Sequence, residues 1–203
     1  MNQEPNKRSH ISFSELKIWD ECPYKHKLVY LDKVKKFKGN EHTAFGTAMH
    51  YICENLVQGQ EEDLEQKFNI KFLEELRRLK ESNVDLNKSL VKDMRAQGKP
   101  MFSLILPELN RTFSSFELIS VEEELMVPLA EGLSFKGYID LVIKAEDKYH
   151  IIDWKTCSWG WNTKRKTDRM TTYQLTLYKH FFAQKHSIDP SDIDTHFALL
   201  KRT

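Results

Sequence analysis

Two aspartates, Asp140 and Asp153, flank a candidate two-residue turn inside an otherwise apolar stretch. The stretch runs Phe135-Lys-Gly-Tyr-Ile-Asp140-Leu-Val-Ile-Lys-Ala145, then Glu146-Asp147, then Lys148-Tyr-His-Ile-Ile-Asp153-Trp-Lys155. Its Ile, Val, Leu and Tyr content predicts two antiparallel strands joined at Glu146-Asp147. In that register Ala145 faces Lys148 and Asp140 faces Asp153, with Cβ atoms ~5 Å apart on one face. Lys155, two residues past Asp153, points to the same face about 7 Å along the strand. Two like charges on an apolar sheet repel, and neither ionises freely unless something positive lies between them. A divalent cation would make the arrangement tolerable. The competing reading puts all three on an exposed face, where Lys155 simply neutralises the aspartates. Glu-Asp is also not a favoured hairpin pair, so a register shifted by one stays open.

Upstream the pattern is helical. Residues 1–10 are polar and read as a flexible tail. Ser12-Phe-Ser-Glu15 has the form of a capping box, with Ile11 and Leu16 placed as a hydrophobic staple. It predicts a helix running to Cys22-Pro23, disturbed by the proline, and a second piece through Tyr30. A basic connector, residues 33–38, leads to a helix over about 43–57 with Phe45, Met49, Ile52 and Leu56 at helical spacing. Leu64, Phe68, Phe72, Leu76 and Leu79 mark another. Gly98-Lys-Pro100 reads as a breaker before a further helix over 101–116 that carries Pro107. The character then changes. Residues 118–128, 134–145 and 149–157 predict a three-strand meander, 168–184 a helix and 195–200 a last strand. The expected organisation is one domain over 11–203, a mostly helical part (11–116) followed by a βββαβ core (117–203).

Composition sets limits on this picture. Forty per cent hydrophobic residues in a 203-residue chain suffice for a core and exclude a disordered protein. Lys and Arg number 31 against 30 Asp and Glu, so any polyanion must be met by a local patch rather than by net charge. No run approaches the ~18 apolar residues of a membrane span, and the polar N-terminus lacks a signal-peptide core. A cytoplasmic protein without a membrane partner is expected. Cys22, Cys53 and Cys157 lie far apart with no CxxC, which fits a reducing compartment and argues against a disulfide framework or a self-contained zinc site.

Local charge does point somewhere. From Lys155 to Arg169 the chain carries Lys155, Lys164, Arg165, Lys166 and Arg169 against Asp168 alone. Trp159-Gly-Trp161 precedes the basic run. Aromatics beside cations suit a single-strand path, where bases stack and phosphates pair with Lys and Arg. The alternative is a solvated loop with both tryptophans packed on the core. His50, on the helix behind Gly46, reads as structural or as a ligand. Gln174 and Tyr178 share a face of the late helix as an i, i+4 pair.

Taken in order, Ser12-Phe-Ser14, Cys22-Pro-Tyr-Lys25, Phe45-Gly-Thr-Ala-Met-His50, Gly137-Tyr-Ile-Asp140, Ile152-Asp-Trp-Lys155-Thr156 and Tyr173-Gln-Leu-Thr-Leu-Tyr178 form a set. It resembles the RecB-type branch of the PD-(D/E)XK nuclease superfamily over residues 12–200. The resemblance implies an α/β fold with a restriction-endonuclease-like αβββαβ core, a mixed central sheet flanked by helices, and helical N-terminal elaboration. It implies metal-dependent phosphodiester hydrolysis of DNA, as an exonuclease or end-processing enzyme in recombination, repair or replication, with single strands or DNA ends as the favoured partner. A structure-specific endonuclease is one alternative, and a catalytically silent DNA-binding or assembly subunit is another.

By the same resemblance His50, Asp140, Asp153 and the backbone carbonyl of Trp154 would hold one or two Mg²⁺ or Mn²⁺ ions. Lys155 would orient the attacking water and stabilise charge, supported by Gln174 and Tyr178, which also contact DNA. Trp159, Trp161, Lys164, Arg165, Lys166 and Arg169 would extend that contact. Ile139 stands where the superfamily's name has proline. An iron–sulfur cluster is not supported, because Cys22 sits at a plausible upstream position but no cysteine follows Cys157. Many relatives carry a further C-terminal helix after the last strand, which this chain, ending at Thr203, would lack. The sequence names no protein partner.

Overall fold

A computed structural model describes residues 9–34 and 37–202. The expected tail falls on residues outside these up to position 8, and its last residue, His10, instead begins a short strand, β1 (His10–Ser12). Ser12 then caps α1 (Phe13–Glu21), its Oγ accepting the Glu15 N–H at 3.3 Å. The Glu15 side chain does not complete the box. It turns inward and meets His26 Nε2 at 2.7 Å. Pro23 opens α2 (Pro23–His26), which runs into a π-helical turn, Lys27–Leu31. The helix break expected at Cys22-Pro23 is thus present.

Three long helices follow: α3 (Glu41–Val57), α4 (Leu64–Glu81) and α5 (Lys88–Phe113). The expected breaker at Gly98-Lys-Pro100 does not break anything, since it lies inside α5. Pro100 and Pro107 are seven residues apart, two turns, and both face solvent, where water can take the carbonyls they leave unpaired. The opposite face, with Met94, Gly98, Met101, Phe102, Ile105 and Leu109, is buried without interruption. Gly98 is there because Phe68 needs the space: a Cβ at that position would lie 2.7 Å from Phe68 Cε1. Phe68 stacks on Phe72, meets Phe45 edge-on and lies tilted against Phe102, at centroid separations of 5.2 to 5.7 Å. Alanine normally gains ~1 kcal/mol over glycine inside a helix. Gly98→Ala is nonetheless expected to destabilise the protein by about 1–2 kcal/mol in a urea melt, because overpacking against a buried ring outweighs propensity.

The remainder is the sheet: β2 (Glu117–Ala130), β3 (Leu133–Ala145), β4 (Lys148–Cys157) and β5 (Ile193–Lys201). The short α6 (Thr163–Lys166) and α7 (Arg169–His186) connect β4 to β5, which pair in parallel. β2, β3 and β4 form the expected antiparallel meander. β1 adds in parallel to β3 at residues 134–136, making a mixed five-stranded sheet. One core lies between the sheet and α3, α4 and α5. The other lies between the sheet and α7, with Phe13 of α1. No helix among the described residues is long and apolar enough to cross a membrane.

Candidate functional site

The β3–β4 register is the expected one where the strands pair. Ala145 faces Lys148, and the ladder runs back to Leu141 opposite Ile152. Glu146 and Asp147, both with positive φ (50° and 61°), make the tight turn. The ladder then stops one step short of the aspartates, so Asp140 and Asp153 do not form a cross-strand pair on one face. Strand alternation fails at this point. Ile139 and Val142 both pack on the α7 side, while Leu141 and Ile143 pack on the α3–α5 side. A strict two-residue period cannot put positions three apart on one face. β2 covers one edge of β3, so β1 and β4 share the other. Residues 137–140 lie in the gap between them, a fork in the sheet.

Asp140 sits at the apex of the fork and occupies a ladder position with its side chain. Its Oδ2 accepts the Trp154 N–H at 2.7 Å, and its Oδ1 lies 3.4 Å from His50 Nδ1 of α3. Glu122 joins them from β2. The flanking pairs, Val121–Leu141 and Glu123–Ile139, put it opposite Asp140, and its φ of 47° marks a matching irregularity in β2. Ligand atoms of His50, Glu122 and Asp140 all lie within 4.8 Å of one another. They line a recess of about 430 Å³ shared with Glu54 and Lys71. Glu122, Glu54 and Lys71 were not among the sequence candidates.

Asp153 turns instead toward α7. It is 2 % exposed. Its Oδ1 accepts from Gln174 Nε2 at 2.8 Å, and that amide also donates to Tyr178 Oη at 3.2 Å. Tyr178 can lie this close because β3 carries Gly137 there; a Cβ would meet its ring at 3.0 Å. Asp153 Oδ2 lies 2.5 Å from Lys155 Nζ, yet no directed hydrogen bond reaches it. Lys155, in turn, rests over the Phe197 ring at 5.8 Å with its side chain 29 % exposed. Gln174 and Tyr178 therefore reach the lysine through Asp153. Trp154 is buried in the α3–α5 core and contributes its backbone N–H to Asp140.

The electrostatics are those of a site short of positive charge. Burial pushes the Asp153 carboxyl up to about 6; Lys155 pulls it back and the Asp140 charge adds to the rise. Glu122 is raised by partial desolvation in the recess, though its side chain stays solvent accessible, and next by Asp140. Burial opposes protonation of His50, but Asp140 beside it, then Asp153, lift it above its ordinary value. The Asp140 charge makes both Glu122 and Asp153 harder to ionise. One imidazole and several carboxylates, a buried carboxylate oxygen lacking a directed donor, and mutual repulsion together fit a hard divalent cation held by oxygen and nitrogen.

A family model for the PD-(D/E)XK nuclease superfamily matches residues 10–200. The chain belongs to the PD-(D/E)XK nuclease superfamily. No curated protein is significantly similar to it. As a PD-(D/E)XK protein it has the mixed sheet between helices that the fold requires, and superfamily members use divalent metals to cut nucleic acid, with DNA the substrate the fold implies. The basic segment after β4 divides in this nuclease. Trp159 is 92 % exposed. Trp161 packs on Phe197, with the Arg165 guanidinium stacked 4.8 Å from its ring. Lys164, Arg165, Lys166 and Arg169 are exposed. Arg169 lies over Tyr173 at 5.2 Å.

Proposed function

We propose that this chain is a divalent-cation-dependent deoxyribonuclease of the RecB type that works from DNA ends. The observation that carries the proposal is the fork: His50, Glu122 and Asp140 converge on one side, and Lys155, Asp153 and Gln174 on the other. In this reading Asp140, His50 and Glu122 hold Mg²⁺ or Mn²⁺, with Asp153 Oδ2 and the Trp154 carbonyl available from β4. The ion when bound supplies Lewis-acid polarisation of the phosphoryl oxygen and acidifies a water. Asp153 fixes the Lys155 ammonium where it can hydrogen-bond the scissile phosphate and steer the attacking water. Gln174 keeps the Asp153 carboxylate in one orientation, and Tyr178 keeps Gln174 in place. Trp159 and the cations of 164–169 offer stacking and phosphate contacts to a departing strand. End dependence is supported by the motif set's likeness to the RecB-type branch.

The test is degradation of end-labelled linear single- and double-stranded DNA beside closed circles, each with Mg²⁺, Mn²⁺ or EDTA. Loss of linear DNA alone, abolished by EDTA, is the expected result. Cleaved circles would replace the exonuclease reading with an endonuclease one. Binding without cleavage of any substrate would favour an assembly subunit. Without metal, burial holds the Asp153 carboxyl up at about 6, and the cation needs the ionised form, so Mn²⁺ binding should weaken as pH drops through about 6.

A further inference from the structure

Beyond Lys155 the chain forms a second, smaller recess of about 230 Å³, bordered by His42, Phe45, Ser158, Trp159, Arg165 and Arg202. Arg202 is its floor and is only 9 % exposed. Its backbone N–H donates to Cys157 O at 2.8 Å. Its Nη2 donates to Ser158 Oγ and lies 3.4 Å from His42 Nδ1, and the guanidinium stands 5.6 Å from the Phe45 ring. Among the described residues no carboxylate pairs with Arg202 and no acidic side chain lines the recess. The nearest acid on α3, Glu41, accepts the backbone N–H of Asn87 instead. A guanidinium cannot escape burial by losing its proton, and a buried charge without a counter-charge is costly. Arg165 adds a second cation at the rim, and Trp159 an exposed ring.

The recess is in line with the fork. Thr156 to Ser158 continue directly from Lys155. His42 precedes His50 by eight residues on α3, ~12 Å at ~1.5 Å per residue. That distance is a few nucleotides of one strand at ~3.4 Å of axial rise each. We propose that this recess binds a phosphate group of the substrate strand, a few nucleotides from the bond that is cut, an assignment that rests on the nuclease reading.

The test is equilibrium binding of short labelled single strands in EDTA over a salt series, by fluorescence anisotropy. Ser158→Asp places a carboxylate beside Arg202, which has none among the described residues, so the variant should melt no lower than wild type. It should bind about tenfold or more weakly, with a salt slope shallower by about 0.7. Arg202→Gln should do the same where it folds, and Arg202→Lys should retain most of the slope. Wild-type affinity and slope in folded Ser158→Asp overturn the proposal. Strands with a 5′-phosphate, a 3′-phosphate or hydroxyls at both ends identify the source. A loss confined to one phosphorylated end assigns the recess to a terminal phosphate, and an equal loss in all arms to an internal one. Because no turnover is needed, a wild-type protein that cuts no DNA would sink the nuclease reading and leave this result standing.

Discussion

Lys155→Ala should lower single-turnover cleavage by about 10²–10³-fold, the scale of losing one preorganised group aimed at developing charge. Saturation by the divalent cation should survive, because the lysine holds no ligand position. Lys155 Nζ is 2.5 Å from Asp153, and its side chain is open enough to reach a phosphate. The change has a second signature. Lys155 is the main influence lowering the Asp153 carboxyl against burial. Without it the carboxyl of the metal-free site rises further, so Mn²⁺ binding should begin to weaken at a higher pH than in wild type. Near-wild-type turnover would remove Lys155 from the proposed mechanism.

Much of this site was legible in the sequence, and the failures have physical causes. The hairpin register through Ala145–Lys148 follows from the turn position and holds for the five pairs from Leu141 to Ala145. Extending it one more pair fails because Asp140 takes the Trp154 N–H with its own carboxylate, a contact no residue pattern records. Lys155 beside Asp153 survives, since i and i+2 share a face whatever the partner strand does. An acid from β2 at the fork is legible in the sequence. A turn at Glu131-Gly132 folds β2 back on β3, and a simple two-residue hairpin there sets Glu123 opposite Asp140. The irregularity between Pro128 and Ala130 shifts the register by one and substitutes Glu122. The run Glu122-Glu123-Glu124 puts an acid at the fork in either register. Glu123, one step along, is buried on the other face against Lys185 and His186. Gly98 and Pro100 do not end the helix, because breaker residues act only where their cost is not offset, and here both Pro100 and Pro107 face water. β1 is three residues long and left no periodicity to read.

Asp140→Asn tests the other half of the fork. Asparagine keeps an acceptor for the Trp154 N–H, so the β3–β4 geometry should persist while one negative charge disappears. In wild type, saturating Mn²⁺ should raise the melting temperature; at about 100-fold above the dissociation constant the gain is about 2.7 kcal/mol. In Asp140→Asn that rise should shrink to little or nothing, and cleavage should fall by about 10²-fold or more. Without metal the order should reverse. The Asp140 charge raises both Glu122 and Asp153. A carboxyl whose folded pKa is raised costs stability above that pKa, and the cost vanishes as pH falls through it. Neutralising Asp140 reduces that cost but also removes its attraction for protonated His50. Metal-free Asp140→Asn should therefore be at least as stable as wild type at pH values where His50 is neutral, with the difference fading and then reversing as His50 protonates. The same residue would then destabilise the empty site and anchor the loaded one, as expected of a carboxylate placed for a cation rather than for the fold. Mn²⁺ stabilising the variant as strongly as wild type would mean that the ion is held elsewhere.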